Sequence, residues 1–433
     1  MESNNLLITS ARLVDIEQRI ITSPMEVYCA NGRIHSIAKS ISVPDGTPSY
    51  NIKGAWLSLG LIDTNVHMLN PGDWDEDFDS SVIASAKAGG YIGAACLPNT
   101  KHPLDSTLAV EYLTLKGASS LFNIYPIAAL TENLKGEKIS EMGLLKKHGA
   151  VAFSDSQNPL MNTEILRQGM TYAASLDVPV FLDCEDSFLA AGGTMHEGSV
   201  SMSLGLRGIP REAESMMISR NLILAKMTGA HLHIQSVSTK ESVDLVAKAK
   251  DQNLPVTAET SPPYFTLTYE DMTPYDTFSK LRPPLRSQKD REAVRQAILD
   301  GTIDIISSSH TPRRKENDFL TFESAPFGSV GLETCLGLTL TQFADQKEDV
   351  KIDLLSKMSI NPHTTMGLAE EKRMAKGCLA NFTVIDPKLT WTVDSQYFYS
   401  QYHNTPFEGK KLQGRAVGTI INGKVVHSLI EQQ

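Results

Sequence analysis

Polar and apolar positions alternate along the first 55 residues, where "LLITSARLVD", "MEVYCANGRIHSIA" and "YNIKGAWLSL" place apolar side chains at every second position. That period is the signature of half-buried strands, and Asn31-Gly32 sits where a tight hairpin turn belongs. The last 60 or so residues repeat the style in "CLANFTVIDP", "LTWTVD" and "GRAVGTIINGKVVHSL", with Asn422-Gly423 as a second hairpin signal. The two ends therefore predict one composite β domain over 1–55 and 375–433, a small β-sandwich.

Between them, over 56–374, short apolar runs alternate with helical patterns, which predicts βα units around a parallel sheet. Eight runs are present: "SLGLIDTNV", "YIGAACLPN", "NIYPIAAL", "AVAFSD", "PVFLDCE", "AHLHIQSV", "PVTAETS" and "DIISSSHTP". Segments such as "TEILRQGMTYAASLD", "KESVDLVAKAKDQN" and "KDREAVRQAILDG" space their apolar residues as amphipathic helices do. Eight strands close a barrel, so the predicted fold class is α/β, a (β/α)8 TIM-like barrel. A doubly wound open sheet is the competing architecture, but no GxGxxG loop follows the first strand.

Composition changes this picture little. At 433 residues, 41% hydrophobic and 21% charged, the chain has the profile of a globular protein with one large domain and a smaller one. No apolar stretch approaches the length of a membrane span, and "MESNNLLITSARLVD" lacks a basic leader, so the expectation is a cytoplasmic protein with no membrane contact. A net charge of −10 disfavours a nucleic-acid surface. The basic cluster Arg313, Arg314 and Lys315 in "TPRRKEND" reads as a solvated face. Five scattered cysteines without a CxxC pair predict buried free thiols.

Reactive groups of such a barrel stand at the C-terminal ends of its strands. In order, those ends carry Asn65 and His67, then Asn99, Asp155 and Ser156, Asp183 and Glu185, His233 and Ser236, and Ser309 and His310. A hydrolytic zinc site needs about three ligands from His, Asp, Glu or Cys plus an open position. His67, Asp155 and Asp183 are the weak residual candidates. Each also has a plain reading: His67 as a hydrogen-bonded barrel histidine, Asp155 as a cap or turn residue, Asp183 as the partner of a nearby base. His231 and His233 have ligand spacing but lie early in their strand, where a satisfied core histidine is expected. Neither a GxSxG elbow nor a P-loop is present.

The strings "LGLIDTNVH", "AGGYIGAACLPNT", "DCEDSFLAAGGTMHEG", "LRPPLR", "APFGSVGLET" and "NTPFEGKKLQGRAVGTIINGKVV" together resemble a dihydroorotase of the zinc-dependent amidohydrolase superfamily, the bacterial type that associates with aspartate transcarbamoylase. The resemblance runs nearly end to end and implies the same barrel with a β domain built from both termini. It places the family's ligands at Asn65, His67, Ser156, Asp183, Ser236 and Ser309, where only His67 keeps the family's residue type. Ser309 also stands where the family has its proton-shuttling aspartate. The carboxylate-gripping arginine falls on Leu69, a substrate-binding asparagine falls on Arg282, and Asn99 still matches. An aliphatic side chain cannot replace a guanidinium fork.

Without a metal the attacking water returns to a pKa of about 15.7, and hydroxyl or amide groups are poor zinc ligands. The resemblance therefore implies a non-catalytic homologue with no catalytic residue, no metal and no cofactor, acting in pyrimidine biosynthesis as a structural or regulatory partner of aspartate transcarbamoylase and forming a homo-oligomer. The alternative is an active dihydroorotase or other cyclic amidohydrolase holding zinc on His67, Asp155 and Asp183.

Overall fold

The computed structural model describes residues 5–68, 76–314, 317, 319–368 and 373–430, with 76–79 as backbone. Eight parallel strands run around the barrel: Leu61–Val66, Tyr91–Cys96, Asn123–Ala129, Ala152–Ser154, Val180–Asp183, Leu232–Gln235, Val256–Thr260 and Ile305–Ile306. Each pairs with the next. The ring closes through backbone: His67 N donates to the His310 carbonyl at 3.0 Å, and His310 N donates to the Asn65 carbonyl at 3.1 Å. Closure thus brings the first and eighth strand ends, and the polar side chains they carry, to the same mouth.

Helices cover the outside, and several of them start at side-chain caps. Asn162 accepts from the amides of Glu164 and Ile165 to begin Thr163–Ser175, which buries Leu166, Met170 and Ala173. Thr239 caps Lys240–Asp251, and Ser287 with Asp290 forms a capping box for Gln288–Asp300. Among the described residues no helix is long and apolar enough to cross a membrane.

The second sheet draws strands from both ends of the chain. Its central strand, Trp56–Leu59, lies between Leu6–Asp15 and Phe382–Thr392. The sequence pattern had run 58–66 together as one strand. Gly60 divides it, because a Cβ there would lie 2.4 Å from the Ile92 side chain, and the chain passes from one sheet to the other at that point. Both expected hairpins are present. Asn31-Gly32 and Asn422-Gly423 adopt left-handed φ values of 51° and 77°, and 50° and 72°, as a type I′ turn requires. Ile8, Val27, Leu57, Phe382, Val384 and Ile420 form the core of this domain. Thr383 ties it to the barrel, donating its hydroxyl to the Gly90 carbonyl at 2.5 Å and accepting from Leu61 N at 3.1 Å.

None of the five cysteines forms a disulfide; four are buried and Cys378 is half-buried. The basic cluster differs from expectation. Arg313 is buried, with its guanidinium 5.5 Å from the Phe278 ring centre and donating to the Pro326 carbonyl at 2.9 Å. Those partners are distant in sequence, so local charge density could not reveal the burial. Arg314 is exposed, and Lys315 lies outside the described residues.

Candidate functional site

The centre of the barrel is organised by Glu259, on the seventh strand and fully buried. Asn65 Nδ2 donates to its Oε1 at 2.7 Å, the Thr64 hydroxyl donates to Oε2, and His233 Nε2 lies 3.2 Å from Oε2. Burial pushes this carboxyl up, but the hydrogen bonds from His233, Thr64 and Asn65 outweigh it and leave Glu259 below its usual value. Behind it, Thr257 Oγ1 lies 2.9 Å from His233 Nδ1 and 3.0 Å from His231 Nε2. A hydroxyl has one proton, so it donates to one ring and accepts from the other. The histidine pair is thereby satisfied within the barrel.

The residues singled out by sequence divide into groups with separate partners. Asn65 spends its amide on Glu259, with Ser236 Oγ 3.4 Å away. His67 Nδ1 lies 3.0 Å from Asn99 Oδ1, an oxygen that only accepts, so Nδ1 carries the proton. His67 Nε2 then offers its lone pair to Gln157 Nε2 at 3.3 Å. Burial lowers the His67 pKa to about 4, so the ring is neutral near pH 7.

Asp155 turns its carboxylate onto a loop: it accepts from Leu130 N at 3.0 Å, from Thr131 N at 2.9 Å and from the Thr131 hydroxyl. Burial raises it to about 6 against those hydrogen bonds. Asp183 has its pKa raised to about 7, first by burial and then by the charge of Glu259, with Arg282 acting in the opposite direction. The base expected for Asp183 pairs with Glu185 instead. Arg282 Nε donates to Glu185 Oε1 at 2.7 Å, Nη2 bonds the same oxygen, and the guanidinium lies 5.5 Å from the Phe327 ring centre.

Ser156, Ser236 and Ser309, after the fourth, sixth and eighth strands, have left-handed φ values of 51°, 55° and 50°. A non-glycine residue there costs about 1 kcal/mol or more, so the barrel imposes this bend at three strand ends regardless of what the serine side chains do. The Ser156 hydroxyl is buried without a protein partner among the described residues. Ser309 and Arg282 line a narrow cleft with Gln157, Ser261, Tyr264 and Phe327. Leu69 lies outside the described residues.

These positions do not fit a zinc ion. Among the described residues no three or more His, Cys, Asp and Glu side chains come together as a possible metal site. Asp155 is consumed by the Leu130–Thr131 loop, the His67 lone pair faces an amide N–H, and Asn65, Ser156, Ser236 and Ser309 supply neutral groups that compete poorly with imidazole and carboxylate.

A family model described as dihydro-orotase-like matches residues 54–242. The dihydroorotase of Geobacter metallireducens is 40% identical over 98% of this chain and 99% of its own length. That likeness decides the family. The chain belongs to the dihydroorotase-like proteins. The dihydroorotase of Pelotomaculum thermopropionicum is 39% identical over 97% of this chain and 98% of its own. In fold the chain is similar to the L-hydantoinase (dihydropyrimidinase) of Arthrobacter aurescens, with a TM-score of 0.84, 22% identity, and coverage of 99% of this chain and 97% of that one.

Within this dihydroorotase-like barrel, strand-end reading missed Glu259 and Gln157. Glu259 carried a usable signal. Thr257 and Glu259 are two apart, as are His231 and His233 on the adjoining strand, and the period of two puts each pair on one face. Gln157 had none, since its role depends on the distant ring of His67.

Proposed function

We propose that this chain is a dihydroorotase-like protein of pyrimidine biosynthesis that has given up hydrolysis and acts as a structural or regulatory partner of aspartate transcarbamoylase. One observation carries the reading. Asn65, at the position where the resemblance puts a zinc-binding histidine, donates its amide to the buried Glu259 at 2.7 Å. An internal hydrogen bond occupies the place where the family's chemistry would need a cation, and Ser309 offers no carboxylate to move a proton. The named partner comes from the resemblance.

Two measurements test it. Purified protein should carry substoichiometric zinc, manganese and iron, and should turn over neither dihydroorotate nor carbamoyl aspartate. Tagged protein should co-elute with the aspartate transcarbamoylase of its own cell or change its activity. Failure of both halves of the second measurement removes the scaffold reading.

The second reading, a working cyclic amidohydrolase, is favoured by the relatives at about 40% identity that are named dihydroorotase. It requires zinc on His67, Asp155 and Asp183, hence release of Asp155 from Thr131 and of His67 from Gln157. Stoichiometric metal together with turnover abolished in His67→Ala would establish it.

A further inference from the structure

We propose that a cavity beside the barrel mouth binds a nucleoside monophosphate. The cavity holds about 550 Å³, within the range of small-molecule sites, and is walled by the loops after the third, fourth and fifth strands together with Arg282. It shares Gln157 and Arg282 with the narrow cleft at the mouth, while Asn65, His67 and Asp183 take no part in its wall. Asp155 builds it. The Asp155 carboxylate accepts from Leu130 N and Thr131 N, the Thr131 hydroxyl accepts from Gly136 N at 2.9 Å, and the Asp155 carbonyl accepts from Asn158 N at 3.1 Å. One buried residue thus fastens two loops. They also meet directly, since a Cβ on Gly136 would lie 3.2 Å from the Leu160 side chain.

Charge selects the class of ligand. On a chain of net charge −10, the wall of this cavity carries two cations, Lys135 and Arg282, and no carboxylate. Lys135 is exposed, and Arg282 gives Nε and Nη2 to Glu185 Oε1 while keeping Nη1 unspent. Acids on the same loops are engaged elsewhere. Glu132 pairs with Lys138 at 2.6 Å, Glu164 with Arg167 at 2.6 Å, and Asp186 accepts from the amides of Phe188 and Leu189. Glu137 is exposed and, like those three, lies outside the wall. Two cations meeting at one cavity from different loops suit a phosphate monoester, which carries close to two negative charges at pH 7 and several acceptor oxygens.

The remaining wall selects what the phosphate is attached to. Leu134, Pro159, Leu160 and Met161 make an apolar side on which a flat ring can lie, and inorganic phosphate would leave most of the volume unfilled. The amides supply the polar edge. Gln157 spends Nε2 on His67 and keeps its carbonyl as an acceptor. Asn162 spends Oδ1 on the amides of Glu164 and Ile165 and keeps its NH2 as a donor. An acceptor and a donor on one wall match the mixed edge of a nucleobase, and the Ser187 hydroxyl is left for a ribose. The inference does not depend on whether the barrel hydrolyses anything.

Isothermal titration calorimetry on the full chain, with UMP and with AMP, tests it. At least one of the two should bind about 10-fold or more tightly than its nucleoside, than ribose 5-phosphate and than inorganic phosphate. Lys135→Gln should weaken that binding about 10-fold and leave the melting curve unchanged, because the side chain is exposed. Arg282→Gln should weaken it at least as much; if that variant fails to fold, Lys135→Gln decides alone. Absence of binding by both nucleotides at about 1 mM overturns the proposal, as does a Lys135→Gln variant that binds as tightly as wild type. Inorganic phosphate binding as tightly as the nucleotides would make the cavity a site for an adventitious ion only. Dihydroorotate or carbamoyl aspartate binding more tightly than either nucleotide would assign the cavity to the family's substrate, and each of these two outcomes also overturns the proposal.

Discussion

The molecule has two buried interiors built on different principles. In the composite β domain, Ile8, Val27, Phe382 and Ile420 are packed hydrocarbon with nothing to satisfy. In the barrel mouth, Glu259, Asn65, Thr64 and His233 are equally buried but polar, with the half-buried Thr257 behind them, and every link depends on a partner from another strand. The first kind loses stability in proportion to the volume removed. The second loses it in steps, since each deleted partner strands another buried polar group.

The widest gap between the two should come from Glu259→Ala, which strands Asn65 and Thr64 and opens a cavity. A loss of about 4 kcal/mol is expected, a fall of about 4 °C in calorimetric Tm for a chain of this size. Asn65→Leu, nearly isosteric but without a donor, should cost about 3 kcal/mol by leaving the Glu259 carboxylate short of one hydrogen bond; a loss below that of the next substitution would erase the distinction. Ile8→Val in the β domain should cost about 1 kcal/mol, read from the same melting curves.

Asp183 sharpens the contrast through pH. Its pKa is raised to about 7, so its folded form is neutral at pH 5 and must bury a charge at pH 8. A raised carboxyl contributes stability that is complete below its unfolded pKa and is lost as pH rises through about 7. Asp183→Asn should therefore raise Tm at pH 8 by about 3 °C, raise it less at pH 5, and leave it nearly unchanged below about pH 4. The smallest effect is expected from a chelator or added zinc. Neither should shift Tm by more than about 1 °C, whereas a structural metal would contribute many kcal/mol.

Much of this was legible in the chain. Periodicity located the strands and both hairpins because those depend on neighbours a few residues away. It misjudged Gly60 and Arg313, whose surroundings come from Ile92, Phe278 and Pro326. At the mouth, reading strand ends named Asn65, His67 and Asp155 but could not assign their partners. Which carboxylate holds Asn65, and which amide meets His67, is fixed by barrel closure across nearly 200 residues for the first and 90 for the second.

The central place of Trp56–Leu59 in the composite sheet has a consequence for synthesis. The strand lies between Leu6–Asp15, made just before it, and Phe382–Thr392, which leaves the ribosome roughly 320 residues later, on the order of half a minute at ordinary elongation rates. Through that interval a nascent chain holds an unpaired apolar edge that the finished protein hides, so chaperone occupancy during translation should concentrate on the amino-terminal strands and end when the last hairpin emerges.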